Sequence, residues 1–218
     1  MNNLPLPLFF LQIMTPYIMK KTFEDALIGR RSYYNLSNES PVVDYEIVHV
    51  LHQVVKHVPS AFNSQTTRLV LLLGEEHTKL WDIVRHTLKE IVPEDVYVKA
   101  EEKINRSFAS GYGTVLFWED TEVVNKFMAS YPLYAENFKT WSQQTSGMHQ
   151  FAVWTMLEDL GFGASLQHYN PLIDDAVKRM WHLPKEWTLV AQMPFGMPTS
   201  APDEKIFNPL EDRVKVFK

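Results

Sequence analysis

The sequence has no cysteine. That absence excludes disulfides, thiolate metal sites, iron–sulfur clusters and a cysteine nucleophile. Glycine is scarce, 8 residues in 218, and the glycine-rich phosphate loops are missing with it. Gly161-Phe162-Gly163 has no third glycine and follows a helix pattern instead of opening one, and no GxxxxGK[ST] occurs. Basic charge is also short. With 21 Lys+Arg against 26 Asp+Glu the formal net charge is -5, which gives no basic surface for a nucleic-acid backbone. An anionic ligand must therefore be met by a few placed cations.

No membrane-length hydrophobic run is present either. The first nineteen residues, MNNLPLPLFFLQIMTPYIM, are apolar, but Pro5, Pro7 and Pro16 interrupt them and no Lys or Arg precedes them. The run falls short of the roughly 20 residues that a span needs. We expect an N-terminal extension over residues 1–19, one domain over 20–218, no membrane anchor and a cytoplasmic address.

What the chain does have is 45% apolar residues, arranged with clear periods. Thr22 with Asp25 three residues on forms a capping signal, and a short helix follows through FEDALIGR. Asp44 opens a helix in which Ile47, Val48, Leu51, Val54, Val55 and Val58 recur at helical spacing until Pro59 stops it. RLVLLL, Arg68 to Leu73, is a continuous apolar run with the pattern of a strand buried on both faces. Helices are predicted over 75–91, 122–130, 138–160 and 173–181. Strands are predicted over 115–118, 164–167 and 189–193. Alternating helices and short strands without repeats predict an α+β or α/β protein of three layers around one central sheet. The tail PLEDRVKVFK has a strand-like alternation and is expected to be an arm that buries its apolar side on a partner chain.

Three separated segments carry polar groups that a bland core does not need. Arg30-Arg31-Ser32 offers two guanidinium forks and a hydroxyl, a set suited to a phosphate, although an arginine pair at a helix end also complements the helix dipole. Pro59 to Gln65 (PSAFNSQ) joins a helix to a strand. Its Asn63 and Gln65 each present a donor and an acceptor, as a heterocycle edge requires, and the same residues can simply satisfy a turn. Gly161 to Pro171 (GFGASLQHYNP) runs from a helix stop into a polar-aromatic loop. His49, His52 and His57 share a helix, but His57 lies roughly 140° around from His52, so the three cannot converge on a metal.

Together RRSYYNL, PSAFNSQTTR and LGFGASLQHYNPLID, followed by a late Phe-Gly and Lys205, resemble the nitroreductase family of FMN-dependent oxidoreductases, in the branch of the fatty-acid-repression and copper-induced proteins. The resemblance covers residues 20–218. It implies the α+β class, with a nitroreductase-like α-β-α sandwich and a mixed sheet, a homodimer with exchanged C-terminal arms, and FMN as cofactor. It implies that Arg30, Arg31 and Ser32 hold the FMN phosphate and ribityl chain, with Lys205 on the phosphate and Tyr34 near the ring. Ser60, Asn63 and Gln65 would reach across the dimer. Leu166, Gln167, His168 and Tyr169 would line the reactive edge of the flavin. NADH or NADPH would deliver hydride and leave, and a nitroaromatic, quinone or similar flat acceptor would follow, with no protein nucleophile or essential base. Phe207 stands where many relatives have a basic residue, and Tyr34 where some have Lys. Phe108, Tyr112, Tyr131 and Tyr134 are candidate acceptor walls, each also explicable by packing. The alternative implied by the same branch is a non-catalytic regulator that responds to a flavin or lipid.

Overall fold

The computed structural model describes residues 21–218, so the expected extension 1–19 lies outside the described residues. The chain begins with α1 (Phe23–Gly29), β1 (Leu36–Ser37), α2 (Asp44–His57), β2 (Thr67–Leu73), α3 (Gly74–Ile91) and α4 (Glu94–Ser107). It continues through β3 (Gly113–Asp120), α5 (Thr121–Ser130), α6 (Ala135–Asp159), β4 (Gly163–Ala164), α7 (Asp174–Trp181) and β5 (Trp187–Pro198).

The sheet runs in the order β1-β5-β3-β2, with β4 also on β5. Its ladders are antiparallel, and parallel pairing is confined to a bridge between Ser32 and Ala164. Side chains alternate across β3. Val115 and Phe117 join Ile47, Val54, Val153 and Leu157 in a core beneath α2 and α6. Leu116 and Trp118 join Leu80, Trp81, Ile104 and Val177 in a second core beneath α3, α4 and α7. These are the three expected layers.

In β5 the alternation is deliberately broken. Phe117 faces Ala191 and Trp118 faces Leu189, so Val190 has no partner across the ladder. This bulge changes the strand's phase by one residue. Ala191, Met193 and Phe195 consequently pack in the first core, and Leu189 in the second.

Several expectations change. RLVLLL is the edge strand β2, and Leu69 and Leu71 line an open groove of about 730 Å3 with Val48 and Val55 of α2. Helix α4 was not anticipated, because only Tyr97, Ile104 and Ser107 of its 14 residues are buried. The strand expected over 164–167 shrinks to Gly163–Ala164, with Gln167 bridging separately to Gln192. The tail forms no strand; Ile206, Leu210, Val214, Val216 and Phe217 are exposed. No helix among the described residues is long and apolar enough to cross a membrane, and no described group of His, Asp and Glu could hold a metal.

Candidate functional site

The chain folds its three polar segments differently, and two of them meet. Thr22 caps α1 by accepting from the Asp25 N–H at 3.1 Å, and the helix ends at Arg30, whose N–H bonds to the Ala26 carbonyl. The backbone then turns so that Ser32 bridges Ala164 and the Tyr33 N–H donates to the Ala164 carbonyl at 3.0 Å. Glycine is required at this junction, since a Cβ on Gly163 would lie 2.8 Å from Cγ of Tyr33. The RRS and GFGAS segments are thus laced together by main-chain contacts.

The late segment closes the same corner. The Arg31 guanidinium donates to the Asp203 backbone carbonyl, bringing Lys205 alongside. Arg30, Arg31, Ser32, Tyr34 and Lys205 line one cavity of about 420 Å3 with Asp203 and Glu204. Arg30 is the most constrained of the cations. Its Cζ lies 4.6 Å above the Trp154 ring, and its buried Nε has no partner among the described residues. Burial first, and then the charge of Arg31, hold this guanidinium below its ordinary value. Stacking on the indole is worth about 0.5 to 2 kcal/mol and fixes the group without neutralising it. The corner therefore contains an oriented cation with an unsatisfied donor, which fits a phosphate.

Two departures from the family pattern have visible consequences. Lys205 Nζ lies 5.1 Å from the Phe207 ring, within the range of a cation–π contact. Lys103 Nζ of α4 lies 5.8 Å from the Tyr34 ring. Sequence reasoning missed Trp154 and Lys103. Trp154 was hidden in an apolar stretch of α6, and Lys103 in a charged helix that gave no core signal.

The SLQHYN loop is nailed down by Gln192, also missed. This glutamine is fully buried inside β5. It exchanges backbone hydrogen bonds with Gln167 at 2.7 and 2.9 Å. Its Oε1 accepts from the Tyr169 N–H at 2.7 Å, and its Nε2 donates to Asn170 Oδ1 at 3.2 Å. The one polar residue in the run LVAQMPFG was the available signal. Leu166 packs on the first core, Gln167 donates to Ser165 Oγ, and His168 is exposed. The Tyr169 ring turns into the second core, edge-on to Trp81 and Phe108, and burial pushes its phenol up to about 12.

Ser60, Asn63 and Gln65 lie elsewhere and line neither the corner cavity nor its neighbour. Ser60 Oγ accepts from the Gln65 N–H at 2.9 Å. Phe62, Asn63 and Gln65 all have left-handed φ, at 55°, 53° and 49°. Such backbone costs of order 1 kcal/mol or more at Phe62 and Gln65, whereas asparagine adopts it readily. Phe62 is 47% exposed and packs against Tyr131, Tyr134, Phe138 and Trp141. Of the candidate acceptor walls, Phe108 is a core residue with no exposure. Tyr112 donates to Asp44 and packs near Phe162 and Phe195. Tyr131 and Tyr134 stay exposed beside Phe62.

With this geometry in place, comparison with known proteins is informative. A profile of the nitroreductase family matches residues 27–197. The nitroreductase FRM2 of Saccharomyces cerevisiae is 35% identical over 185 residues, 84% of this chain and 91% of that protein. The nitroreductase CinD of Lactococcus lactis, solved in complex with chloramphenicol, is 40% identical, covers 90% of this chain and 100% of its own, and superposes with a TM-score of 0.83. A fold neighbour from Exiguobacterium sibiricum, solved in complex with FMN, is 14% identical, covers 90% of this chain and 98% of its own, and has a TM-score of 0.65.

Proposed function

The chain belongs to the nitroreductase family, and from that premise we propose that it is an FMN-dependent oxidoreductase acting as a cytoplasmic homodimer. FMN, when bound, would supply two-electron hydride chemistry between NADH or NADPH as donor and a nitroaromatic, quinone or similar flat acceptor, the two alternating at one site in ping-pong order. The observation that carries this reading is the Arg30 corner, where an arginine whose buried Nε has no partner among the described residues, a second arginine and Lys205 converge on one cavity.

The residues have distinct duties. Arg30, Arg31 and Lys205 bind the phosphate, and Ser32 binds next to it. The main-chain ties of Tyr33 to Ala164 and of Gln167 to Gln192 keep Leu166, Gln167 and His168 at a fixed distance from that corner. The proposed dimer brings Ser60, Asn63 and Gln65 of a second copy to the opposite side, and Phe62, Tyr131 and Tyr134 give that side an aromatic wall. A slot between two rigid protein surfaces excludes water and holds stacked partners at the roughly 3 to 3.5 Å that hydride transfer requires. Lactococcal CinD has been solved with 4-nitrophenol and with nicotinic acid, and flat aromatic ligands of that class suit such a slot. No described side chain is needed as nucleophile or base.

The deciding experiment is an absorbance spectrum of the purified protein with FMN, before and after anaerobic addition of NADH or NADPH. Flavin absorbance that bleaches with reduced nicotinamide supports the oxidoreductase. A bound flavin that never bleaches favours the non-catalytic regulator, and a protein that takes up no FMN overturns both flavin readings.

A further inference from the structure

Beside the corner cavity lies a second one of about 490 Å3, sharing Ser32, Tyr34 and Asp203 with it and reaching Lys103, Arg106 and Ser107 of α4. We propose that these three α4 residues form an anion subsite for the 2′-phosphate of NADPH, so that NADPH is preferred to NADH as hydride donor. This rests on the oxidoreductase reading above.

Lys103 and Arg106 are three residues apart, a spacing that places two side chains on one helix face. Some exposed lysines are matched on their own helices, as Lys79 is with Glu76, Lys126 with Glu122 and Lys139 with Glu136, while Lys56, Lys89 and Lys99 form no ion pair among the described residues and line neither cavity. Glu102 stands four residues before Arg106, the separation of the Lys126 pair. Yet among the described residues neither Lys103 nor Arg106 forms an ion pair, and Arg106 lines the cavity instead. Lys103 Nζ is held 5.8 Å from both the Tyr34 and Phe108 rings, which orients an ammonium and leaves its charge unspent.

Ser107 supplies an independent observation. It lines the same cavity, is 1% exposed, and its hydroxyl is buried with no partner among the described residues. The hydroxyl of nearby Ser110, by contrast, donates to the Arg106 carbonyl at 2.6 Å. An unsatisfied buried hydroxyl costs about 1 to 3 kcal/mol, a cost that a ligand oxygen removes. Asp203 is the sole carboxylate among the lining residues and opposes an anion, while its backbone carbonyl is engaged by Arg31. Two cations against one carboxylate leave the cavity positive in a chain whose formal net charge is -5. A monoester dianion matches that surplus, and a free 2′-hydroxyl does not. The cavity adjoins the proposed flavin-phosphate corner, and the reaction requires only one further phosphate-bearing reactant, the dinucleotide.

The test uses the FMN-loaded full chain. Isothermal titration with 2′-AMP, adenosine and inorganic phosphate should show 2′-AMP binding tightest. The ratio of kcat/KM for NADPH to that for NADH should favour NADPH and fall about tenfold or more in Lys103→Met/Arg106→Met, the size of a lost charge-assisted hydrogen bond. Loss of 2′-AMP binding should accompany it, with FMN affinity retained. An unchanged ratio, or inorganic phosphate binding as tightly as 2′-AMP, overturns the assignment. So does a parallel loss of FMN affinity, which would give the subsite to the flavin. A protein reduced equally by both donors refutes this inference alone, whereas one reduced by neither refutes the oxidoreductase reading.

Discussion

The Arg30 corner and the Ser60–Gln65 loop are both polar, both follow helices, and are built on opposite principles. The corner is drawn from four distant parts of one chain, with Trp154 beneath Arg30, Ala164 beside Ser32 and Asp203 against Arg31. Its cations are positioned by long-range contacts before any ligand arrives. The loop closes on itself through Ser60 and Gln65, holds three non-glycine residues in left-handed backbone, and displays Phe62 on an aromatic cluster. Preorganisation in the corner comes from the fold, and in the loop from local strain. A loop whose polar groups do not face the corner of its own chain makes sense when the surface it serves belongs to another copy.

Acid should break this comparison at its base, because both regions depend on the same sheet. His77 is buried against Thr114 and Ala109, and burial pushes its imidazole from 6.5 down to about 4. A histidine depressed in the folded state leaves stability intact above its ordinary value and removes it as pH falls from 6.5 towards 4. The full loss is about 3 kcal/mol. Buried Glu119 and Asp174 are raised by desolvation and oppose this trend. The expected result is therefore a shallower pH dependence of urea unfolding in His77→Gln than in the unaltered chain over that window.

Arg30→Ala should come next, weakening FMN binding by about 1.5 to 3 kcal/mol through loss of a charge-assisted bond, as read by flavin fluorescence titration. The loss should not depend on protein concentration. Asn63→Gly keeps the left-handed backbone comfortable and removes only the amide. It should cost about 1 kcal/mol of FMN affinity, and dilution of the dimer should abolish the difference from the unaltered chain. Equal behaviour of the two variants on dilution would erase the distinction drawn between corner and loop. Trp154→Leu should have the smallest effect, about 0.5 to 1 kcal/mol in the same titration, with Trp154→Phe restoring most of it.

Much of the fold was legible where one chain covers itself. The α2 stripe gave Ile47, Leu51 and Val54 as core, and all three are buried. Val48 and Val55 obey the same period yet line the groove beside β2. Periodicity records which face is apolar, and it does not record what covers that face. The same limit explains β2, whose RLVLLL composition reads alike at a covered centre and at an open edge. Helix α4 escaped notice because its charged surface outweighs three buried residues. In the corner, Arg30, Arg31, Ser32, Tyr34 and Lys205 were legible as segments and do converge on one cavity. Their supports were not, since Trp154 and Gln192 act through distant contacts that leave no local spacing. Tyr169 shows the converse, a polar aromatic in a suggestive string whose ring is committed to packing.

The unpaired Val190 makes β5 work as a gear with one tooth out of step. Upstream of it, Leu189 meshes with one half of the molecule, and downstream Ala191, Met193 and Phe195 mesh with the other. Excising that single valine would leave a regular ladder, with Phe117 still opposite Ala191, Trp118 still opposite Leu189, and each side chain still in its own layer. Loss of Val190 should therefore be far more tolerable than loss of Leu189 or Ala191 on either side of it, each of which fills a core.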